Sequence, residues 1–147
     1  ATANEYISEE NAKELPEEIK LNNVRILLAE DNMLNAEIAM TLLADANAYV
    51  ELAPDGEKAL SMLKRATDGY YDLIIMDIQM PHMNGYEATK NIRGLPDGRC
   101  RIPIIAMTAN AFEEDRKRAI ESGMNGYVTK PIKIEELIST IKKILKS

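Results

Sequence analysis

The strongest constraint on the fold is a regular alternation between short apolar runs and segments with helical periodicity. Residues 24–29, 73–76 and 102–107 are almost continuously apolar, and residues 49–53 and 126–129 form two weaker runs. Short continuous apolar runs are typical of parallel strands that are covered on both faces. The sequence therefore predicts five strands.

The segments between these runs carry apolar residues at helical spacing. The shared faces are formed by Leu34, Ile38 and Leu42 in the first helix, Ala59, Leu60 and Leu63 in the second, Ala88 and Ile92 in the third, and Ile134, Leu137, Ile138, Ile141 and Leu145 in the last. A fourth helix is predicted from near Ala111 to Gly123, with acids in its first turn and bases later. Five strands alternating with five helices predict an α/β fold, a doubly wound parallel sheet with right-handed crossovers.

The negative charge of the chain is concentrated at its start. Of the net charge of −6, residues 1–23 contribute −4 (six acids against two bases) and residues 24–147 contribute −2 (18 acids against 16 bases). Residues 1–23 are polar and include Pro16, so we interpret them as a linker or tail, and 24–147 as one domain. The acidic balance argues against electrostatic binding of nucleic acid or of an anionic membrane.

The cysteine and histidine content excludes further classes of protein. A single cysteine, Cys100, cannot form an internal disulfide or a multi-cysteine metal site, and a single histidine, His82, excludes a histidine-rich zinc site. We expect Cys100 to be an ordinary thiol and His82 an exposed loop residue. Because no apolar run approaches the length of a membrane span and no signal peptide pattern precedes the first run, we expect a cytoplasmic domain without direct membrane contact.

Ionisable and hydroxyl side chains stand where the predicted strands end. Glu30 and Asp31 follow the first strand, Asp77 the third, Thr108 the fourth and Lys130 the fifth. The carboxyl ends of parallel strands meet at one edge of the sheet, where ligands bind in this fold class. Close carboxylates repel one another by about 1–4 kcal/mol per pair, and a hard cation such as Mg²⁺ offsets that repulsion. A carboxylate nucleophile, Mg²⁺, an ammonium group and a hydroxyl together suit the acceptance of a phosphoryl group.

Four strings of residues make the sequence similar to a known family. LLAEDNMLN (27–35), DLIIMDIQMPHMNGYEATKNIR (72–93), PIIAMTANA (103–111) and GMNGYVTKPI (123–132) resemble the receiver domain of two-component response regulators. The resemblance runs from about residue 24 to residue 145, and EDNMLN and MTANA are most similar to receivers of hybrid sensor histidine kinases. It implies a flavodoxin-like (βα)5 fold with strand order 2-1-3-4-5.

The resemblance also implies a phosphoacceptor and a metal site. Asp77 is the expected phosphoacceptor, which takes a phosphoryl group from a phosphohistidine on a partner. The expected Mg²⁺ ligands are Asp31, Asp77 and the backbone carbonyl of Gln79, with Glu30 acting mostly through a bound water. Mg²⁺ is therefore the expected cofactor.

Three residues are expected to respond to the transferred group. By the resemblance, Lys130 pairs with the acceptor or its phosphate, and Thr108 bonds a phosphate oxygen after transfer. Tyr127 occupies the aromatic switch position, where the ring turns inward as Thr108 moves toward the phosphate. The domain is thus expected to change conformation when it is phosphorylated.

Other positions are expected to shape the loops around the acceptor. The resemblance assigns loop-shaping roles to Pro81, Gly85 and Pro131, the last of these through a cis peptide bond with the residue before it. Gln79 and Asn110 stand two residues beyond the acceptor and the threonine, where the family tunes its rate of dephosphorylation.

Particular residues disfavour three other classes of function. A flavin-binding electron carrier of similar sheet order needs a Ser/Thr/Gly-rich phosphate loop where this chain has Glu30 and Asp31. A phosphatase or phosphotransferase with an Asp nucleophile generally has a second acid where this chain has Gln79. A degenerate receiver that only binds other proteins is disfavoured because every strand-end position is filled.

The resemblance implies a phosphohistidine-bearing kinase or a histidine phosphotransfer domain as the partner. It also implies a monomer or weak dimer that binds no nucleic acid. The sequence has no Gly-rich or Walker-type nucleotide loop, so we expect no enzymatic activity beyond its own phosphotransfer and autodephosphorylation. The expected parent is a hybrid histidine kinase, and a stand-alone single-domain response regulator is the alternative.

Overall fold

Five parallel strands form one sheet in the order β2-β1-β3-β4-β5 in the computed structural model, which describes residues 20–109 and 112–146. The strands are β1 (Arg25–Ala29), β2 (Tyr49–Ala53), β3 (Leu73–Asp77), β4 (Ile104–Thr108) and β5 (Gly126–Thr129). The helices are α1 (Met33–Asp45), α2 (Gly56–Arg65), α3 (Gly85–Arg93), α4 (Glu113–Ser122) and α5 (Ile134–Leu145). The predicted α/β fold and its strand order are confirmed.

The sheet has an apolar core on each face because successive strand residues point to opposite sides. One core joins α1 and α5 to the sheet through Ala39, Leu43, Leu137, Ile138, Ile141 and the strand residues Ile26, Leu28, Ile75, Ile105 and Met107. The other joins α2, α3 and α4 through Leu63, Ile92, Ala119 and the strand residues Leu27, Ile74, Met76, Ile104 and Ala106. The central strands are buried on both sides, as their continuous apolar runs predict.

Helix α1 does not pack through the face that its larger apolar residues define. Leu34 and Ile38 are 66% and 47% exposed, whereas Ala36, Ala39 and Leu43 are buried. The small alanine side chains allow the helix backbone to lie close to the sheet. Apolar residues surround α1 on several sides, so their spacing alone does not identify the packed face.

Strands β3 and β4 end one residue later than the apolar runs predict. Asp77 pairs with Met107 across the sheet, and Thr108 pairs with Thr129, so both polar residues belong to the strands. Strand β4 also begins two residues later than predicted, because Pro103 has no backbone N–H to donate to a ladder. The sheet therefore fixes the backbone of both polar residues.

The ordered packing of the domain includes residues just before β1. Leu21 is buried in the core beside α1, and its backbone N–H donates to the carbonyl of Ala46 at 2.6 Å. The prediction that 1–23 form a linker or tail falls mainly on residues 1–19, which lie outside the described residues. None of the helices in the described part of the chain has the length and apolar character needed to cross a membrane.

Two glycines allow the loop after β3 to pack tightly under the edge of the sheet. A Cβ atom on Gly85 would lie 2.5 Å from the carbonyl oxygen of Asp77 and 3.0 Å from the Cα of Ile78. A Cβ atom on Gly56, at the start of α2, would lie 2.5 Å from the carbonyl oxygen of Met83 in the same loop. The path of the backbone after Asp77 thus depends on the absence of a Cβ atom at Gly56 and Gly85.

We predict that Gly85→Ala destabilises the domain by about 2 kcal/mol, because the new methyl group must displace backbone. The matched control is Gly94→Ala at the end of the same helix, where a Cβ atom meets nothing closer than 3.6 Å. Its effect should stay within about 1 kcal/mol. Urea unfolding of the three proteins measures both changes, and an equal loss in the two variants would contradict the packing account.

Candidate functional site

Three carboxylates converge at the carboxyl edge of the sheet. Oxygen atoms of Glu30, Asp31 and Asp77 all lie within 4.8 Å of one another. Glu30 and Asp77 are 1% and 3% exposed, whereas Asp31 is exposed. Buried carboxylates are rare unless they are paired or bind a cation, so this cluster requires a compensating positive charge.

The backbone around the cluster directs two of the carboxylates inward. The N–H of Gln79 donates to Oδ1 of Asp77 at 3.2 Å, so the chain turns back over the end of β3. The N–H of Asn32 donates to Oε1 of Glu30 at 3.1 Å. Asn32 also caps α1, because its side-chain oxygen accepts from the N–H of Asn35. The start of α1 and the first buried carboxylate are therefore fixed by one residue.

Lys130 supplies the compensating charge. Its Nζ lies 3.0 Å from Oε2 of Glu30 and 3.1 Å from Oδ2 of Asp77. The backbone N–H of Lys130 donates to the carbonyl of Thr108 at 2.7 Å, which places the side chain over the ends of β1 and β3. The peptide bond between Lys130 and Pro131 is cis, as the resemblance implies.

The charges at the site shift one another's protonation equilibria. Burial, and then repulsion by Asp77, raise the pKa of Glu30 despite the opposing effects of Lys130 and the Asn32 N–H. Burial alone lowers the pKa of Lys130, but the carboxylates of Glu30 and Asp77 outweigh it and raise that pKa overall. Lys130 thus stays an ammonium ion at neutral pH.

The donor set suits a hard cation. Oε2 of Glu30 is buried and has no partner in hydrogen-bond geometry, although Lys130 contacts it as an ion pair. Three carboxylates beside one ammonium leave an excess of negative charge, and oxygen is the ligand that Mg²⁺ and Ca²⁺ prefer. Within the described residues the chain therefore presents a set of oxygen ligands that fits Mg²⁺.

Thr108 and Tyr127 lie beside the carboxylates on neighbouring strands. Thr108 is buried at the end of β4, and Tyr127 is half-buried on β5 against the core of α2, α3 and α4. Burial and then Asp115 raise the pKa of Tyr127, while a hydrogen bond with Thr108 opposes this rise. The threonine and tyrosine are thus in contact on the side of the site away from α1.

An open cavity of about 420 Å³ leads to this cluster. Asp31, Gln79 and Thr108 are among the residues that line it, and Asp115 and Arg118 form a wall of it from α4. Tyr86 of α3 also lines the cavity. No sequence pattern identified this wall. The i, i+3 spacing of Asp115 and Arg118 places them on one side of α4, but only the packing of α4 shows that this side meets the site.

The remaining predicted residues lie in loops near the site or outside the described residues. Pro81 lines the cavity, and Gly85 begins α3 directly behind Asp77. His82 is exposed with a φ of 67°, and its exposure confirms the expectation of a loop residue. Asn110 lies outside the described residues.

Comparison with known sequences places the chain in a family. A family model described as the response regulator receiver domain matches residues 26–142. "Probable histidine kinase 2" of Oryza sativa subsp. indica is 38% identical over 143 residues, which are 88% of this chain and 14% of that protein. "Hybrid signal transduction histidine kinase M" of Dictyostelium discoideum is 42% identical over 122 residues, which are 82% of this chain and 5% of that protein. The chain thus spans a small part of these relatives.

Solved structures agree with this placement. One of them is the receiver domain of sensor histidine kinase PA1611 of Pseudomonas aeruginosa, which was solved with magnesium coordinated in its active site cleft. Its TM-score is 0.76 and its sequence is 39% identical, and the match covers 85% of this chain and 99% of that one. The receiver domain of Saccharomyces cerevisiae Ssk1, solved with the histidine phosphotransfer protein Ypd1, has a TM-score of 0.72 and 30% identity, covering 83% and 88%. The chain therefore belongs to the response regulator receiver domain family.

Proposed function

We propose that Asp77 is the phosphoacceptor of this receiver domain and takes a phosphoryl group from a phosphohistidine on a partner protein. One observation carries the proposal: a buried carboxylate at a strand end lies within 4.8 Å of two others and 3.1 Å from an ammonium group. Such a carboxylate is held in position beside a positive charge, and the open cavity lined by Asp31 and Thr108 gives a donor a route toward it.

The chemistry of the proposed step follows from these positions. A carboxylate oxygen of Asp77 forms a bond to phosphorus, the phosphorus–nitrogen bond of the donor breaks, and its electron pair leaves with the imidazole. Lys130 stabilises negative charge on the acceptor and then on the phosphoryl oxygens. When it is held by Asp31, Asp77 and the Gln79 carbonyl, with Glu30 bonded through water, Mg²⁺ would neutralise the charge that opposes approach of the donor.

We propose that Thr108 and Tyr127 couple phosphorylation of Asp77 to a change of conformation at the surface of the domain. Thr108 would donate its hydroxyl to a phosphoryl oxygen on Asp77, one strand away in the sheet. Because Thr108 and Tyr127 are hydrogen-bonded to each other, a new bond at the threonine changes the partners of the tyrosine. Tyr127 is half-buried on β5, so its ring can alter the surface that β5 forms with its neighbours.

We also propose for the loop residues the roles that the resemblance implies. Gly85 and Pro81 shape the loop after Asp77, and the close approach of Gly85 to the Asp77 carbonyl supports this role. Pro131 would fix the direction of Lys130. Gln79 lines the cavity and is exposed, which suits a residue that affects the rate at which water removes the phosphate, together with Asn110.

The partner that we propose is a histidine kinase or a histidine phosphotransfer domain. The parent that we propose is a hybrid histidine kinase, with the tether predicted over residues 1–23 ending before the packed residue Leu21. Met33, Leu34 and Ile38 form an exposed apolar surface on α1, and Ile38 lines a small cleft together with Lys130. An apolar surface beside the acceptor site suits a protein donor that must bring its phosphohistidine to Asp77. The Ssk1 receiver in complex with Ypd1 supports the same class of partner.

We predict that acetyl phosphate phosphorylates the chain once, and only when Mg²⁺ is present. Intact mass spectrometry should show one added phosphate that is stable in acid and lost in base, because an acyl phosphate hydrolyses in alkali. Asp77→Asn should abolish the added mass, since the amide is not a nucleophile for this transfer.

Asp72→Asn is the matched control, because Asp72 is an exposed acid just before the amino end of β3, the strand that Asp77 ends. This control should be phosphorylated as fully as the unchanged chain. Phosphorylation of Asp77→Asn, or phosphorylation without metal, would refute the assignment.

We also predict that stabilisation by Mg²⁺ weakens as the pH falls through the raised pKa of Glu30. Below that pKa the carboxyl group of Glu30 takes up a proton and loses the charge that favours the cation. Mg²⁺ at ten times its dissociation constant should stabilise the domain by about 1.4 kcal/mol at a pH well above that pKa. Thermal unfolding with and without Mg²⁺ measures the difference.

In the metal-free domain, the contribution of the Glu30 carboxyl group to folding stability should change with pH in the opposite direction. A raised pKa means that ionised Glu30 costs stability in the folded state, so its contribution improves as the pH falls through that pKa. Glu30→Gln has no charge to titrate and should lose both trends. If Glu30→Gln kept the full pH dependence of Mg²⁺ stabilisation, Glu30 would not be its source.

A further inference from the structure

The cavity at the acceptor site is larger than a phosphoryl group requires. Its volume is about 420 Å³, whereas a transferred phosphoryl group adds four heavy atoms beyond the carboxylate. The cavity is open to solvent, and α4 contributes a wall of it through Asp115 and Arg118. The part of the donor that leaves must pass through this space, so the wall can select among donors.

A guanidinium group is held in place on that wall. The Cζ of Arg118 lies 4.2 Å from the centre of the Tyr86 ring, within the range of a cation–π interaction. Tyr86 is itself buried, and its hydroxyl donates to the backbone carbonyl of Asp115 at 3.4 Å. Within residues 20–109 and 112–146, Arg118 forms no ion pair, so its charge acts on the cavity that it lines.

We propose that Arg118 determines donor specificity, favouring donors whose leaving group departs as an anion over donors whose leaving group departs neutral. Acyl phosphates belong to the first class and phosphoramidates to the second. This inference rests on the proposed phosphoacceptor function of Asp77. It extends that function to small-molecule donors and assigns a role to a helix that holds none of the reacting atoms.

The two donor classes differ in where the charge goes. With acetyl phosphate, a new oxygen–phosphorus bond forms to Asp77, the bond from phosphorus to the acetyl oxygen breaks, and acetate leaves with the electron pair and a full negative charge. With phosphoramidate, in its form with a protonated nitrogen, the phosphorus–nitrogen bond breaks and neutral ammonia leaves. Neither transfer requires a proton from the protein, so the charge of the leaving group is the difference that Arg118 senses.

The acidic residues that line the cavity provide a second test, in which the expected change in donor preference has the opposite sign. Asp115 lies on the same wall, Asp31 also lines the cavity, and both disfavour an anionic leaving group. Because Asp31 belongs to the proposed metal site, Asp115 is the informative residue of the two. Asp115→Asn leaves its backbone carbonyl, the acceptor for Tyr86, unchanged. Removing its charge should therefore act in the opposite direction to removing that of Arg118.

The experiment follows phosphorylation over time by intact mass, at fixed pH, salt and Mg²⁺, with acetyl phosphate and with phosphoramidate. Arg118→Gln should slow the reaction with acetyl phosphate by about three- to tenfold, a modest effect because the side chain is exposed, and change the phosphoramidate rate by less than about twofold. Asp115→Asn should raise the ratio of the two rates. Arg118→Lys keeps the charge and should retain most of the preference.

Lys117→Gln is the control, because Lys117 is an exposed cation on the same helix that does not line the cavity. If Arg118→Gln slows both donors equally, or if Lys117→Gln changes the ratio as much, then Arg118 does not set specificity, although Asp77 would still be the acceptor. If the unchanged chain takes phosphate from neither donor, both this inference and the proposed function are wrong. The ratio of rates also separates specificity from a loss of folded protein, which would slow both donors together.

Discussion

The ammonium group of Lys130 is the interaction on which the rest of the site depends. It contacts two buried carboxylates, Glu30 and Asp77, and its positive charge offsets the cost of holding them close together away from water. One positive charge cannot balance three negative ones, and the pKa of Glu30 is raised by its burial and then by repulsion from Asp77. The site is therefore assembled by the fold but left with excess negative charge, which is the condition under which a divalent cation binds strongly.

The strand order makes this arrangement possible. Strands β1, β3, β4 and β5 are consecutive neighbours in the sheet, and each places at least one polar group of the site at its carboxyl end. Glu30 follows β1, Asp77 ends β3, Thr108 ends β4 and Lys130 follows β5. Segments up to about a hundred residues apart in the sequence thus meet at one edge, which no local structure could achieve. The apolar cores on both faces hold these strand ends in register, so the stability of the core and the geometry of the site have the same origin.

The sequence predicted most of the fold and the inner part of the site, for identifiable physical reasons. Continuous apolar runs identified the buried strands, and polar residues at their ends identified the cluster, because parallel strands end at a common edge. The packed face of α1 was not predictable, since Leu34 and Ile38 are apolar yet exposed while small alanines face the sheet. The wall formed by Arg118 was also missed, because the orientation of α4 depends on packing between elements that are distant in sequence.

We propose a buried centre for the transfer and an exposed wall for the choice of donor, and both proposals depend on Asp77 as the residue that receives the phosphoryl group. The most direct measurement transfers phosphate from a phosphorylated histidine phosphotransfer domain and then treats the product with borohydride, which reduces an acyl phosphate to an alcohol. Peptide mass spectrometry identifies the reduced residue. The account predicts homoserine at position 77, and reduction at position 31 or any other acidic residue, or at none, would contradict it.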